Sequence, residues 1–278
     1  MSNTKHFFIS GSIGVGKTTY INHLCKLMKG QCMIIKEYID YDKNGEDMLT
    51  KWHQKEISCF EFQSYILDCF NKQLENQTSN ILIWERHPLE TIDIFCSQED
   101  CLSKEEKLIL KYKLIVLMET YHIPQSIENY RIYYINFFED NHITKGFKYI
   151  MKYLHFYMNL SVIIYLGVDT LQFSNQIDNI IKRNRLVEKN FYTTQEGMDS
   201  LWKLNFEYHS YWCFFIKKCS ELSLDLNEVD EMKLMYKNLL IESKRYTTSK
   251  PNAELIMSKY KENNKPFFGS GEWWKTQN

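Results

Sequence analysis

Gly11-Ser12-Ile13-Gly14-Val15-Gly16-Lys17-Thr18 fits the pattern G-x-x-x-x-G-K-[ST] close to the start of the chain. An apolar run, Phe7-Phe8-Ile9, precedes it, and a helical pattern of Tyr20-Ile21, Leu24 and Leu27-Met28 follows. A strand, a glycine-rich turn and a helix start in that order make the motif a phosphate-binding loop. Gly11, Gly14 and Gly16 let backbone N–H groups meet phosphate oxygens with no Cβ in the way. The helix N-terminus adds a favourable potential for an anion. Lys17 is expected to reach the β- and γ-phosphates. The Thr18 hydroxyl is expected at the Mg²⁺, and Thr19 beside it among the nucleotide-binding residues.

The rest of the chain supplies the frame for that loop. Short β-rich runs at His6–Ser10, Cys32–Lys36, Asn80–Trp84, Ser161–Leu166 and, more weakly, Leu222–Leu226 alternate with long helical patterns. Such alternation predicts an α/β fold of three layers, a central five-stranded parallel sheet flanked by helices, with the ligand site at the carboxyl ends of the strands. Helical periodicity covers Thr18–Lys29, Ser58–Leu74, Pro88–Phe95, Lys104–Met118, Thr144–Met158, Leu171–Asn184, Thr193–Cys219 and Glu228–Glu242. Ser103, followed by Glu105 and Glu106, reads as a helix cap. Residues 97–160 form an enlarged, mainly helical segment with no clear strand, and residues 246–278 a polar tail that ends in Phe267-Phe268 and Trp273-Trp274.

Composition removes several function classes. With 278 residues and a formal net charge of −1, no global basic field points to nucleic acid or an anionic membrane. No apolar run is long enough to span a bilayer, and Met1 to Lys5 is not a signal-peptide start. Eight cysteines, none in C-x-x-C spacing, read as reduced thiols in an intracellular chain, neither a disulfide frame nor a zinc site. A cytoplasmic location is expected.

The loop identifies a phosphoryl donor but not an acceptor. Glu37 follows the apolar run Met33-Ile34-Ile35, Glu85-Arg86-His87-Pro88 follows Ile81-Leu82-Ile83-Trp84, and Lys182-Arg183-Asn184-Arg185-Leu186-Val187-Glu188 closes a helical pattern. Taken singly, strand-end charges are ordinarily solvated, and a basic cluster at a helix C-terminus complements the dipole. Together at one sheet edge they resemble the deoxynucleoside kinases, including the herpesvirus-type thymidine kinases. Glu85-Arg86-His87-Pro88 is similar to the acidic-Arg-His-Pro motif of the viral enzymes, and Gln176-Ile177-Asp178 with Lys182 to Glu188 is similar to their arginine-rich lid. Phe62-Gln63-Ser64-Tyr65 resembles a Phe-Gln-[Ser/Thr]-Tyr run of the cellular and insect enzymes, and His209-x-x-Trp212 the helix after the lid.

That resemblance implies an ATP- and Mg²⁺-dependent deoxynucleoside 5′-kinase over residues 1–245, homodimeric as its relatives are. It implies Glu37 as the base for the 5′-hydroxyl and Glu85, with Thr18, at the Mg²⁺. Arg86 would orient Glu37, and Arg183 and Arg185 would close over the transferring group. It implies Gln63 reading a pyrimidine edge, Ile66 and Phe95 on either side of the base, and Glu188 on the sugar 3′-hydroxyl. Thr91 is small and neutral, leaving room for a thymine methyl, so thymidine is the expected acceptor and deoxycytidine the second. Three positions depart from the family pattern. Trp52 stands where a sugar-binding tyrosine is usual, with Tyr38 or Tyr41 as substitutes; Tyr38 replaces a proline, and Asn179 a lid arginine. A nucleoside monophosphate kinase would need further arginines for an acceptor phosphate, and only Arg86 is evident. A GTPase would need D-x-x-G and N-K-x-D, which are absent, and a non-catalytic nucleotide-binding regulator is the remaining alternative.

Overall fold

Strands β1 (Lys5–Ser10), β2 (Met33–Ile35), β3 (Ile81–Glu85), β4 (Tyr130–Asn136) and β5 (Ser161–Gly167) form one parallel sheet in the order β2-β3-β1-β5-β4. These elements come from a computed structural model that describes residues 4–97, 101–136, 142–156, 161–183, 185–222 and 226–263. The inner strands are almost uninterrupted apolar runs because helices cover both faces, and all of β5 is buried. Parallel pairing requires crossovers, and the helices supply them. In chain order these are α1 (Lys17–Leu27), α2 (Tyr38–Tyr41), α3 (Gly45–His53), α4 (Cys59–Glu75), α5 (Glu90–Asp93), α6 (Lys104–Thr120) and α7 (His142–Phe156). They continue with α8 (Phe173–Arg183), α9 (Leu186–Tyr192), α10 (Gln195–Leu222), α11 (Leu226–Thr248) and α12 (Ala253–Asn263). The α/β architecture expected from the sequence, a five-stranded parallel sheet flanked by helices, is the one observed.

Local chemistry explains where two of the long helices start. Ser58 and Ser103 each open a capping box, with Glu61 and Glu106 returning the hydrogen bond to the cap backbone. The cap read at Ser103 is therefore present. Register places Ile9 beside Glu85, and Arg86 N–H donates to Ile9 O at 3.0 Å. Gln73 of α4 brackets Lys36 from both sides, accepting from its N–H at 2.8 Å and donating to its carbonyl at 3.0 Å. The carboxyl ends of β1, β2 and β3 thus deliver Gly11, Glu37 and Glu85 to one edge.

The fifth strand is not the expected one. Tyr130–Asn136, inside the enlarged segment, pairs with β5 from Tyr130↔Ser161 to Asn136↔Gly167. As an edge strand it tolerates the half-exposed Arg131 that masks its pattern in the sequence. Leu222 and Leu226 instead end α10 and begin α11, and 223–225 lie outside the described residues. Trp212, Ile216 and Cys219 on α10 and Met232, Met235 and Leu239 on α11 are buried at helical spacing, so helix packing accounts for both flanks of that stretch. Beyond residue 245, Trp202 Nε1 donates to Tyr246 O at 2.8 Å and Ala253 is buried. The aromatic residues at 267, 268, 273 and 274 lie outside the described residues. Among the described residues no helix is long and apolar enough to cross a membrane.

Candidate active site

The loop from Gly11 to Thr18 wraps the start of α1 with Gly11, Gly14 and Gly16 at positive φ. A Cβ on Gly11 would stand 2.5 Å from Leu166 O, and one on Gly14 would stand 2.6 Å from Ile180 Cγ1. Glycine is therefore required at both positions by space as well as by conformation. A buried amide network holds the loop from behind. Gln176 Nε2 donates to Ile13 O at 2.6 Å and to Ser12 Oγ at 2.9 Å, and Asn205 Nδ2 donates to Gln176 Oε1 at 2.7 Å. Ser12 Oγ in turn donates to Asn205 Oδ1. Asn179, where a lid arginine is usual, donates to Gly14 O at 3.1 Å. Thr19 is exposed on the first turn of α1.

Lys17 is fully buried, donates to Ser12 O at 3.1 Å and stands 3.7 Å from Glu37 Oε1. Burial and the neighbouring Arg86 push its ammonium down to about 8, against the opposing pull of Glu37 and Glu85. Thr18 Oγ1 donates to Glu85 Oε1 at 2.7 Å. Burial, then Glu37, raises the Glu85 carboxyl, with Lys17 and Thr18 opposing. Oxygens of Glu37, Asp40 and Glu85 lie within 4.8 Å of one another, an all-oxygen donor set beside a triphosphate loop that fits Mg²⁺. Asp40 was not foreseen.

Glu37 is held by its neighbours. Arg86 Nε donates to Glu37 Oε1. Burial pushes the Glu37 carboxyl upward, but Arg86, then Lys17, Arg183 and Arg185, outweigh it and hold the group well below the usual carboxylate range. The other edge of the Arg86 guanidinium donates to Gly11 O at 2.6 Å, to Glu90 Oε2 and to the Tyr208 hydroxyl. His87 is structural. Its Nδ1 accepts from Leu89 N–H at 3.1 Å, so Nε2 carries the proton and faces the Tyr130 hydroxyl at 3.0 Å. Burial, then His6, lowers His87 to about 3, which keeps it neutral.

A cavity of about 560 Å³ opens beside this cluster, and every acceptor residue expected from the sequence lines it: Gln63, Ile66, Phe95, Thr91, Trp52 and Glu188. Glu37, Arg86, Arg183 and Arg185 line it as well. Buried Gln63 Oε1 and Glu188 Oε2 have no hydrogen-bond partner among the described residues, which marks them as acceptors open to a ligand. Arg185 pairs with Asp40 at 2.6 Å and with Glu188 at 3.4 Å. Trp52 stacks on Phe62 with ring centroids 5.0 Å apart. Tyr38 lines the cavity, whereas Tyr41 does not.

One reading of the cysteines is overturned. Cys59, the first residue of α4, is bonded to Cys101 across a sequence separation of 42, and the Cys96 sulfur lies 3.8 Å from Cys59. The two partners sit in unlike sequence contexts with no diagnostic spacing, so only their closeness in space reveals the bond. Asn205, Glu90 and Tyr208 were also missed. Of these only Glu90 had a signal, its i,i+4 spacing from Arg86.

Residues 7–133 match the family model for deoxynucleoside kinases. The match takes in the phosphate loop, Glu37, Gln63 and the Glu85-Arg86 pair and stops before the arginine-rich lid. Among solved structures, a deoxyadenosine kinase from M. mycoides with bound dATP is 20% identical, with 84% of this chain and 98% of that chain covered and a TM-score of 0.43. No curated protein matches the chain. The resemblance to deoxynucleoside kinases that the motifs carry is thus met by the family match.

Proposed function

We propose that the chain transfers the γ-phosphoryl group of ATP to the 5′-hydroxyl of a deoxynucleoside, with thymidine the preferred acceptor. The carrying observation is the station of Glu37, 3.7 Å from the phosphate-loop Lys17 and on the wall of the cavity that Gln63 lines. A 5′-hydroxyl there attacks the γ-phosphorus; as the new O–P bond forms, its proton passes to a Glu37 oxygen, and the bond from the γ-phosphorus to the β–γ bridging oxygen breaks to release ADP. A carboxylate held this low takes up the proton late, which suits a reaction in which positioning and charge matter more than base strength. Arg183 and Arg185 supply forked donors to the equatorial oxygens. Thr18 and Glu85, with Asp40, would hold Mg²⁺, which supplies neutralisation of the phosphate charge. Glu188 accepts from the sugar 3′-hydroxyl, with Trp52 or Tyr38 alongside.

Thymidine is favoured because Thr91 and Phe70 line the cavity and bring no charge to it, while the Gln63 amide offers both a donor and an acceptor. Phosphate transfer from ATP to each of the four deoxynucleosides and to thymidine monophosphate, with Glu37→Gln in parallel, tests the reading. Transfer to thymidine with Glu37→Gln lowered at least a hundredfold is the expected result; transfer to the monophosphate alone overturns it.

The proposal includes a homodimer. On α6, Leu110, Leu114 and Leu117 are buried, while Leu108, Ile109, Tyr112, Ile115 and Val116 form an exposed apolar stripe. A self-complementary stripe of this kind is covered by a second copy. Tyr112→Glu should yield a monomer in sedimentation, and an unchanged assembly would remove α6 from the interface.

A further inference from the structure

Two fully buried polar side chains, Glu90 and Tyr208, converge on Arg86 from positions that none of the motifs include. Glu90 opens α5 and Tyr208 lies in the middle of α10. Tyr208 donates its hydroxyl proton to Glu90 Oε2 at 2.6 Å and accepts from Arg86 Nη1. Glu90 Oε2 faces the same Nη1 at 3.4 Å, and Glu90 Oε1 accepts from His87 N–H at 2.9 Å. The carboxylate is thus pinned on both oxygens and cannot swing away. The guanidinium lies over the Phe95 ring, 4.9 Å from its centroid, and 5.7 Å from that of Tyr208.

We propose that Glu90 and Tyr208 are positioning residues for phosphoryl transfer, fixing the far edge of Arg86 so that its Nε edge presents Glu37 to the attacking hydroxyl. The proposal rests on the reading of Glu37 as the proton acceptor. A guanidinium is planar, so anchoring one edge sets the direction of the other. Arg86 also holds φ at +80°, a conformation costly for a residue with a side chain. Without the anchor the strained backbone and the long side chain would keep Glu37, Gly11 O and the face of Phe95 as guides, none of which fixes the outer nitrogen against the Glu90 side. Glu90 does a second thing: it shares the arginine's charge, so that Glu37 is not the sole counter-ion of Arg86. Misplacement by a fraction of an ångström is enough to cost rate without costing binding.

The test is steady-state kinetics on Tyr208→Phe, Glu90→Gln, their double variant, and Tyr208→Phe placed in a Glu37→Gln background. Tyr208→Phe keeps the ring and its packing, so it carries the test if Glu90→Gln fails to fold. The expected result is a kcat about tenfold lower for Tyr208→Phe, with KM for ATP and for nucleoside each within twofold. The double variant should be no worse than the poorer single one, because both act through one arginine. In the Glu37→Gln background Tyr208→Phe should change kcat less than twofold, since no carboxylate remains to be aimed. An unchanged kcat, a rise in both KM values, or an equal loss in the Glu37→Gln background would overturn the proposal. If Glu37→Gln alone is fully active, the reading of Glu37 fails and takes the proposal with it. If Glu37→Gln is impaired while Tyr208→Phe is not, only the proposal falls.

Discussion

Binding of ATP should weaken as the medium becomes alkaline, and the buried Lys17 sets where. Its ammonium is brought from 10.5 to about 8 by burial and by Arg86. A triphosphate seated in the loop would set anions against Nζ and restore the charge, so binding above that pH takes up a proton. For one titrating group the apparent Kd scales as one plus ten to the power (pH − 8), giving factors of about 1.1, 2 and 11 at about pH 7, 8 and 9. The terminal phosphate, with a second pKa of about 6, keeps its own charge through this window. Isothermal calorimetry of Mg²⁺-ATP binding in two buffers of different ionisation enthalpy reads both the affinity and the proton. Lys17→Arg, which stays charged, should flatten the profile. The same depression acts on folding with a definite sign. The unfolded chain binds more protons between about pH 8 and 10.5, so stability rises with pH through that window, by about 3 kcal/mol in all. A Kd that is constant from about pH 7 to 9, with no buffer-dependent heat, would refute the argument.

Three further outcomes follow from the geometry. Gly14→Ala forces a Cβ to 2.6 Å from Ile180 Cγ1 and 2.9 Å from Gln176 O at a φ of +79°; KM for ATP should rise about five- to thirtyfold, the equivalent of the roughly 1–2 kcal/mol that left-handed backbone costs a non-glycine residue. A wild-type KM would show that the loop moves freely. Gln63→Ala removes the unpartnered acceptor from the cavity, and the loss of one or two hydrogen bonds, about 1–3 kcal/mol, should raise the nucleoside KM roughly ten- to a hundredfold and leave ATP binding nearly unchanged; equal loss of both would make Gln63 structural. Cys101→Ser opens a loop of 42 residues' separation, and chain entropy alone gives an upper figure of about 4 kcal/mol for the lost stability. The difference from wild type should appear in denaturant melts without reductant and vanish with dithiothreitol; identical melts in both buffers would deny the bond in solution.

How much of this the sequence carried depends on whether a feature is local or assembled. The loop is local: its glycines, lysine and threonine are read in one window, between a strand and the helix that the structure shows on either side of it. Four of the five strands are equally local: β1, β3 and β5 are apolar runs covered on both faces, and the edge strand β2 is a short apolar run as well. The edge strand β4 escapes because Arg131, Tyr134 and Asn136 are only partly buried and interrupt its apolar run. The expected cavity walls were legible only through family resemblance, since Ile66 and Phe95 look like ordinary core. What no window shows is convergence. Asn205 and Tyr208 lie on α10 more than a hundred residues from the loop and from Arg86, and the only mark of their role is burial of a polar atom with its partner across the fold. Such residues follow from an accounting rule: every buried donor needs an acceptor. Applied to Arg86, whose motif explains a single edge, the rule demands further acceptors for the other. In this fold they are Gly11 O, Glu90 and Tyr208, so the motif is completed by side chains that it does not contain.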